Sequence, residues 1–339
     1  MLKAFIFFAM VFIISYAAVP MIISLARRTG AVAIPGERHI HSRPTPKLGG
    51  IAIALGIYLV APFVFQMEKV IIAYLVSAFI IFLLGLIDDL MNIGWRFKLI
   101  VFCIAMSIFI FVSDTWIRNI GNLFGNEKID LDKWGIPFTF FAVFGLTNAI
   151  NLIDGLNGLA CGASVIAFIS FAILAYISDN TAVFYLCILN LGAILALFRY
   201  NYPKARIFLG DTGSLFIGYS LSIMAILLTQ AKGNVNPVIP VIILGIPIFD
   251  TLRVMITRII KRSSPFKADK THLHHLMTRS GYSAKNVVRA IWMLSILMSL
   301  LAFILRQYDS WLMLIVLLIV FFCMGIFINN LRIFKRKNF

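Results

Sequence analysis

VIIAYLVSAFIIFLLGLIDDLMNIGWRFKL, residues 70–99, decides how this chain is read. Residues 70–87 carry no charge. As a helix rising about 1.5 Å per residue, that run approaches the roughly 30 Å thickness of a bilayer's hydrocarbon core. It ends on two aspartates, Asp88 and Asp89, with Arg96 and Lys98 following within one short loop. An apolar crossing that terminates in acids and then cations predicts a membrane helix with chemistry at one end.

The same pattern recurs along the chain. Of 339 residues, 61% are hydrophobic and 13% charged, against about 25% charged in an ordinary soluble domain. The mean hydropathy is +0.97. Apolar blocks predict helices at about 2–25, 48–66, 70–87, 99–113, 135–150, 157–178, 181–198, 212–231, 236–257, 288–305 and 311–330, each close to a spanning length. The expected fold is an all-α polytopic membrane bundle of about eleven transmembrane helices, with residues 1–339 forming a single integral membrane domain. The first block begins after Lys3 and passes small residues at Ala17 and Ala18, which raises a cleaved signal peptide. It continues through Leu25 to Arg27 and Arg28 and reads as a retained span.

Placing Arg27 and Arg28 inside puts Arg38, Arg43, Lys47, Arg96, Lys98, Arg199, Lys204, Arg206, the loop from Arg253 to Arg289 and the tail from Arg332 to Lys337 on one side. Those segments hold most of the 30 Lys and Arg residues. The positive-inside bias predicts an outside N-terminus and a cytoplasmic C-terminus. A net charge of +16 without a soluble basic domain excludes nucleic acid as the expected partner and favours anionic lipid and an anionic substrate. Cys103, Cys161, Cys187 and Cys323 each sit alone in an apolar block, a pattern of helix packing rather than of zinc.

Five aspartates fall at the predicted cytoplasmic helix ends: Asp88 and Asp89 in GLIDDL, Asp154 in NLIDGLNGL, Asp211 in FLGDTGS and Asp250 in PIFDTLR. An acid at mid-membrane costs about 2.5–3.5 kcal/mol on insertion scales, so each needs a reason. Asp88 and Asp89 lie about 100° apart on a helix and suit two roles. Carboxylates and amides beside basic loops fit Mg2+, which takes oxygen ligands and shares them with substrate phosphates. Asn148, Asn151 and Asp154 share one broad helical face that can line a cavity, or can hold neighbouring spans together. The glycines of FLGDTGS let backbone N–H groups approach a phosphate. His272, His274 and His275, among the cations of the last long loop, read as an anion receptor, with a proton shuttle or a metal site as alternatives.

RPTPKLGG running into GGIAI, then GLIDDL, NAINLIDGLNGLA, FLGDTGSLFIGY and PFKADKTHLHHL, in this order, resemble the polyprenyl-phosphate N-acetylhexosamine-1-phosphate transferases of glycosyltransferase 4 type. The match runs over about residues 35–280. The H-x-H-H form is more like the bacterial undecaprenyl-phosphate N-acetylglucosamine-1-phosphate transferases. In the phospho-N-acetylmuramoyl-pentapeptide transferases three histidines are consecutive and a Lys follows the aspartate pair. Here Leu273 interrupts the histidines and Asn92 replaces that Lys.

The resemblance implies a UDP-N-acetylhexosamine donor, an undecaprenyl or other polyprenyl phosphate acceptor, UMP as leaving group and a place at the start of cell-envelope glycan synthesis. It implies Mg2+, or Mn2+ in its place, held by Asp211 with Asn151, and it allows a homodimer. Asp88 and Asp89 would position or deprotonate the acceptor, Lys98 would hold a phosphate, and Asp154 joins them as a candidate catalytic carboxylate. Gly155, Leu156, Asn157, Asn201 and Phe208 fall where the family builds its nucleoside pocket, and His272, His274 and His275 would close on the diphosphate and sugar. An Asp where this chain has Asn157 is usual in the pentapeptide sibling. That sibling stays open as an alternative. A secondary transporter, whose acids would lie near mid-membrane, and a non-catalytic scaffold are the readings from other classes.

Overall fold

A computed structural model describes residues 1–33, 44–124, 127–230, 235–262 and 271–337. The expected cytoplasmic cations Arg38 and Arg43, and residues 263–270 of the histidine loop, lie outside the described residues. The chain runs α1 (Leu2–Arg28), a two-residue antiparallel pairing of β1 (Val32–Ala33) with β2 (Thr45–Pro46), α2 (Gly49–Val64), α3 (Lys69–Met91) and α4 (Trp95–Ser113). A 3-10 turn at Asp132–Trp134 leads into α5 (Gly135–Ile153), followed by α6 (Leu159–Ile177), α7 (Thr181–Asn201) and α8 (Gly210–Gln230). The remainder is α9 (Val238–Ile243), α10 (Gly245–Ile260), α11 (Leu273–Arg279), α12 (Ala284–Leu305) and α13 (Ser310–Lys337).

Every predicted apolar block lies on helix. Among the described residues nine helices are long and apolar enough to cross a membrane unaided, while α2 is shorter. The block at 236–257 departs from expectation: it is not one helix but two, α9 and α10, parted at Leu244. Pro240 and Pro247 flank the break, and each lacks the N–H an unbroken helix would need.

The large exposed side chains of α1 and α13, among them Phe5, Ile13, Met21, Leu318 and Phe322, would make an aggregation-prone surface in water and are the natural surface against lipid. Buried on nearly all sides, α8 is the axis of the bundle. Large apolar side chains alternate on it with small and hydroxylated ones, and two of its serines are satisfied within the helix: Ser220 Oγ donates to Phe216 O at 2.8 Å and Ser222 Oγ to Gly218 O at 2.8 Å. Tyr74 of α3 meets Ser220 at 2.9 Å across the interface. Close helix approach with hydroxyl bonding is the packing mode available where lipid removes the hydrophobic drive between helices.

Two glycines set how close that approach is. A Cβ on Gly50 of α2 would overlap the backbone of Gly213, and one on Gly85 of α3 would fall 2.5 Å from Asp211 O and 2.6 Å from Thr212 Cα. Both contacts are with backbone, which has no side-chain rotation to yield. The first turn of α8 is therefore pressed against α2 and α3 by the absence of two methyl groups. Gly85→Ala should lower stability by about 1–3 kcal/mol, read as a fall in the thermal midpoint of detergent-solubilised protein. Gly145→Ala in α5, where a Cβ meets nothing within 4 Å, should leave the midpoint unchanged or higher; equal losses in the two variants would contradict this account.

Candidate active site

GLIDDL ends α3 and places its two aspartates on different neighbours, as their angular separation demands. Asp89 turns to the start of α8. Its Oδ1 accepts from Asp211 N at 3.1 Å, and its Oδ2 accepts from Thr212 N at 2.8 Å and Thr212 Oγ1 at 2.6 Å. Gly210, at φ +73°, makes the turn that aims these groups, and a Cβ there would strike Lys47 O. A carboxylate at the positive end of a helix, satisfying donors the helix cannot satisfy itself, is a strong local anchor. Asp89 thereby takes the Asp211 and Thr212 N–H groups of the FLGDTGS turn, which are not free to meet a phosphate.

Asp88 is 5% exposed. Its Oδ1 accepts from Ile93 N at 3.0 Å. Its Oδ2 forms an ion pair with Lys98 Nζ, and the same ammonium reaches Asp211 Oδ2 at 3.4 Å. WRFKL, the first turn of α4, thus returns a cation to the two carboxylates that α3 and α8 bring together. Asn151, in the last turn of α5, donates through Nδ2 to Asp211 Oδ1 at 2.9 Å and to Ser214 Oγ at 2.8 Å. Asp88, Lys98, Asp211 and Asn151 form one connected group drawn from four helices.

Asp154 follows directly after α5. Burial, reinforced by the negative charges of Asp211 and Asp89, pushes its carboxyl up to about 8. This is what burial beside other acids does to a carboxyl. Asn148, one turn before Asn151, does not join the cluster. It lines an apolar groove of about 520 Å³ shared with Phe138, Phe141, Leu244, Leu252 and Leu317. The expected common face of Asn148, Asn151 and Asp154 is thus divided between a polar centre and an apolar channel beside it.

The DGLNG segment connects α5 to α6, with Gly158 at φ +76° capping the second helix. Its proposed nucleoside contacts are not all available. Asn201 is buried and uses both polar atoms within the protein: Oδ1 accepts from Gly158 N at 2.7 Å and Nδ2 donates to Ile207 O at 2.9 Å. Asn201 is a staple between two loops. Leu156 is buried, Gly155 is exposed, and Asn157 Nδ2 reaches Pro203 O at 3.3 Å. Phe208 is half-buried, its carbonyl accepting from Gly49 N and its N–H donating to Pro46 O.

The three histidines sit at the start of α11 above this segment. His272 Nδ1 lies 2.9 Å from Asp250 Oδ2. His274 is buried against Gly155, with its Nε2 lacking a hydrogen-bond partner among the described residues. Burial, and next the neighbouring His275, holds its imidazole down to about 3. Ser214, Thr212 and Arg253 belong to this architecture and escaped the sequence reading. Their signal was the hydroxyl on either side of Gly213 and the i, i+3 spacing of Asp250 and Arg253.

A family model described as "Glycosyl transferase family 4" matches residues 71–229, which contain GLIDDL, the DGLNG segment and FLGDTGS. A Bacillus subtilis (strain 168) protein, "Probable undecaprenyl-phosphate N-acetylglucosaminyl 1-phosphate transferase", is 35% identical over 312 residues, 91% of this chain and 86% of its own. The chain belongs to glycosyl transferase family 4. The "Undecaprenyl-phosphate alpha-N-acetylglucosaminyl 1-phosphate transferase" of Escherichia coli (strain K12) is 28% identical over 89% of this chain and 84% of its own. That of Yersinia pestis is 28% identical over 96% and 94%. In this family member the matched segment carries the carboxylates, and the histidine loop and α10 add to the site from beyond it.

The Asp154 carboxyl gives a test of the cluster's electrostatics. The folded protein binds this proton more tightly than the unfolded chain, whose carboxyl titrates near 3.9. The contribution to stability is therefore full below about pH 4 and is lost as pH rises to about 8. The thermal midpoint of metal-free protein should fall across that window, and Asp154→Asn should flatten the fall. An unchanged slope in the variant would show that the cluster does not hold the proton.

Proposed function

We propose that this enzyme transfers N-acetylglucosamine-1-phosphate from UDP-N-acetylglucosamine to undecaprenyl phosphate and releases UMP. The observation that carries the reading is adjacency: the group of Asp88, Lys98, Asp211 and Asn151 stands one helical turn from an apolar groove. A lipid phosphate and a water-soluble nucleotide sugar can meet only where such surfaces adjoin. The relatives' names supply the acceptor and the sugar. The positive-inside bias supports a plasma-membrane enzyme whose site faces the cytoplasm, where nucleotide sugars are made.

An acceptor phosphate oxygen attacks the phosphorus joined to the sugar, and the bond from that phosphorus to UMP breaks. A phosphate monoester is already ionised near neutral pH, so alignment and charge neutralisation matter more than deprotonation. Lys98, held between two carboxylates, offers its ammonium to the incoming phosphate, while Asp88 orients that ammonium. His272 and His275 approach the diphosphate from the α11 side.

The donor set fits Mg2+: the hard carboxylate oxygens of Asp88 and Asp211 meet at the ends of two helices, Asn151 lies beside them with its amide nitrogen on Asp211 and would turn its oxygen inward to ligate, and among the described residues there is no cage of three or more His, Cys, Asp or Glu side chains. An ion that shares its shell with substrate oxygens needs no such cage. Asp211 and Asn151 would hold it, and when bound it supplies neutralisation of the diphosphate charge.

Purified protein given undecaprenyl phosphate, Mg2+ and a panel of UDP-sugars should release UMP with UDP-N-acetylglucosamine above all others. Asp88→Asn and Asp211→Asn should each reduce kcat by about 100-fold or more; release of UMP at the unaltered rate in either variant would remove that carboxylate from the reaction. The groove is tested at Gly145, which lines it where added atoms meet open space. Gly145→Leu should raise KM for the lipid acceptor several-fold and leave KM for the nucleotide sugar within about twofold. Equal rises in both would place the lipid elsewhere.

A further inference from the structure

Asp250 lies in the second turn of α10, 1% exposed, and none of the chemistry above uses it. A buried carboxylate is costly unless fully hydrogen-bonded, and this one is. Oδ1 accepts from Arg253 Nη2 at 2.8 Å and from Leu273 N at 2.8 Å, and Oδ2 faces His272 Nδ1 at 2.9 Å. Arg253 Nη2 also donates to Thr271 O. Three successive residues of the histidine loop are therefore tied to one turn of α10.

Two of these ties, at Thr271 O and Leu273 N, are to backbone and would suffice to hold the loop in place. The third is to the imidazole itself. A carboxylate only accepts, so the bond requires the proton on Nδ1. The opposite nitrogen, Nε2, points away from Asp250, on a ring whose centroid lies 6.3 Å from that of His274, nearly parallel to it. His274 in turn packs against Gly155 of the DGLNG segment. The ring nitrogen left to do chemistry is thus chosen from behind, by a side chain in another helix.

We infer that Asp250 is a positioning residue for the transfer reaction, fixing His272 as the Nδ1-protonated form so that Nε2 is the nitrogen presented to substrate. The inference rests on the reading that the histidine array meets the diphosphate. Asparagine is a discriminating replacement because it is nearly isosteric. Its Oδ1 can keep the bonds from Leu273 N and Arg253, while its Nδ2 would donate toward His272 Nδ1. That polarity turns Nδ1 into an acceptor and moves the ring proton to Nε2, leaving the loop anchored.

The test uses full-length protein in detergent, 15N-labelled at its five histidines, with the His272 signal assigned by its loss in His272→Gln. The expected result near pH 7 is an Nδ1-protonated ring in the unaltered chain, neutral or imidazolium, and an Nε2-protonated neutral ring in Asp250→Asn. In UMP-release assays Asp250→Asn and His272→Gln should each lower kcat by at least about tenfold with donor KM within about threefold, and the double variant should fall no further than either single one. An Nε2-protonated neutral ring in the unaltered chain, an unaltered kcat in Asp250→Asn, or losses that multiply in the double variant would each overturn the inference. If Asp250→Asn fails to fold, the spectrum of the unaltered chain decides alone by the same criterion. Failure of the unaltered chain to release UMP from any donor would instead overturn the transferase reading, and the ring's protonation would still be settled by the spectrum.

Discussion

Everything at this site depends on the grip of the Asp89 carboxylate on the first turn of α8. Three donors, two of them backbone N–H groups, converge on its two oxygens. The helix so held is the one the others surround. It carries Asp211 at its first turn, and Asp211 is where α3, α4 and α5 meet through Asp88, Lys98 and Asn151. Closeness is enforced sterically by Gly50 and Gly85, where a single methyl group would collide with backbone. A carboxylate anchor and two missing side chains together hold Asp211 against α2 and α3.

The same economy explains how so many acids coexist near one end of an apolar bundle. Each has a different remedy for its charge. Asp89 is neutralised by a helix terminus, Asp88 and Asp211 share an ammonium, Asp250 has a guanidinium and an imidazole, and Asp154 keeps its proton up to about 8. A site whose carboxylates were all paired would have little use for a further cation. The proton that Asp154 keeps is one that a bound cation would displace, the charge that the proposed divalent ion would supply.

Much of the fold was legible because bilayer thickness imposes a length on every crossing, and eleven apolar blocks of about that length stand out in the chain. The break at Leu244 was also written in the sequence, as Pro240, Gly245 and Pro247, yet block length outweighed punctuation in the reading. The aspartates were recognisable as candidates from depth alone, and the neighbouring pair Asp88 and Asp89 as having separate tasks from helical geometry. What each would do was not legible. Their partners Lys98, Thr212 and Asp211 come from two other helices, and no spacing rule links residues 122 or 113 positions apart. Asn148 and Asn201 show the converse. Both have the right type and place in the motif, but one turns to the groove and the other is consumed by backbone groups.

The groove beside α5 has walls that are themselves lipid-facing: Phe141 is 67% exposed and Leu252 43%. It therefore communicates sideways with the hydrocarbon layer rather than upward with water. For a ligand arriving by that route the relevant concentration is its mole fraction in the leaflet, and dilution of the aqueous phase leaves saturation untouched. One substrate would then be governed by three-dimensional solution chemistry and the other by two-dimensional surface chemistry, so that the lipid composition of the membrane becomes a kinetic variable in its own right.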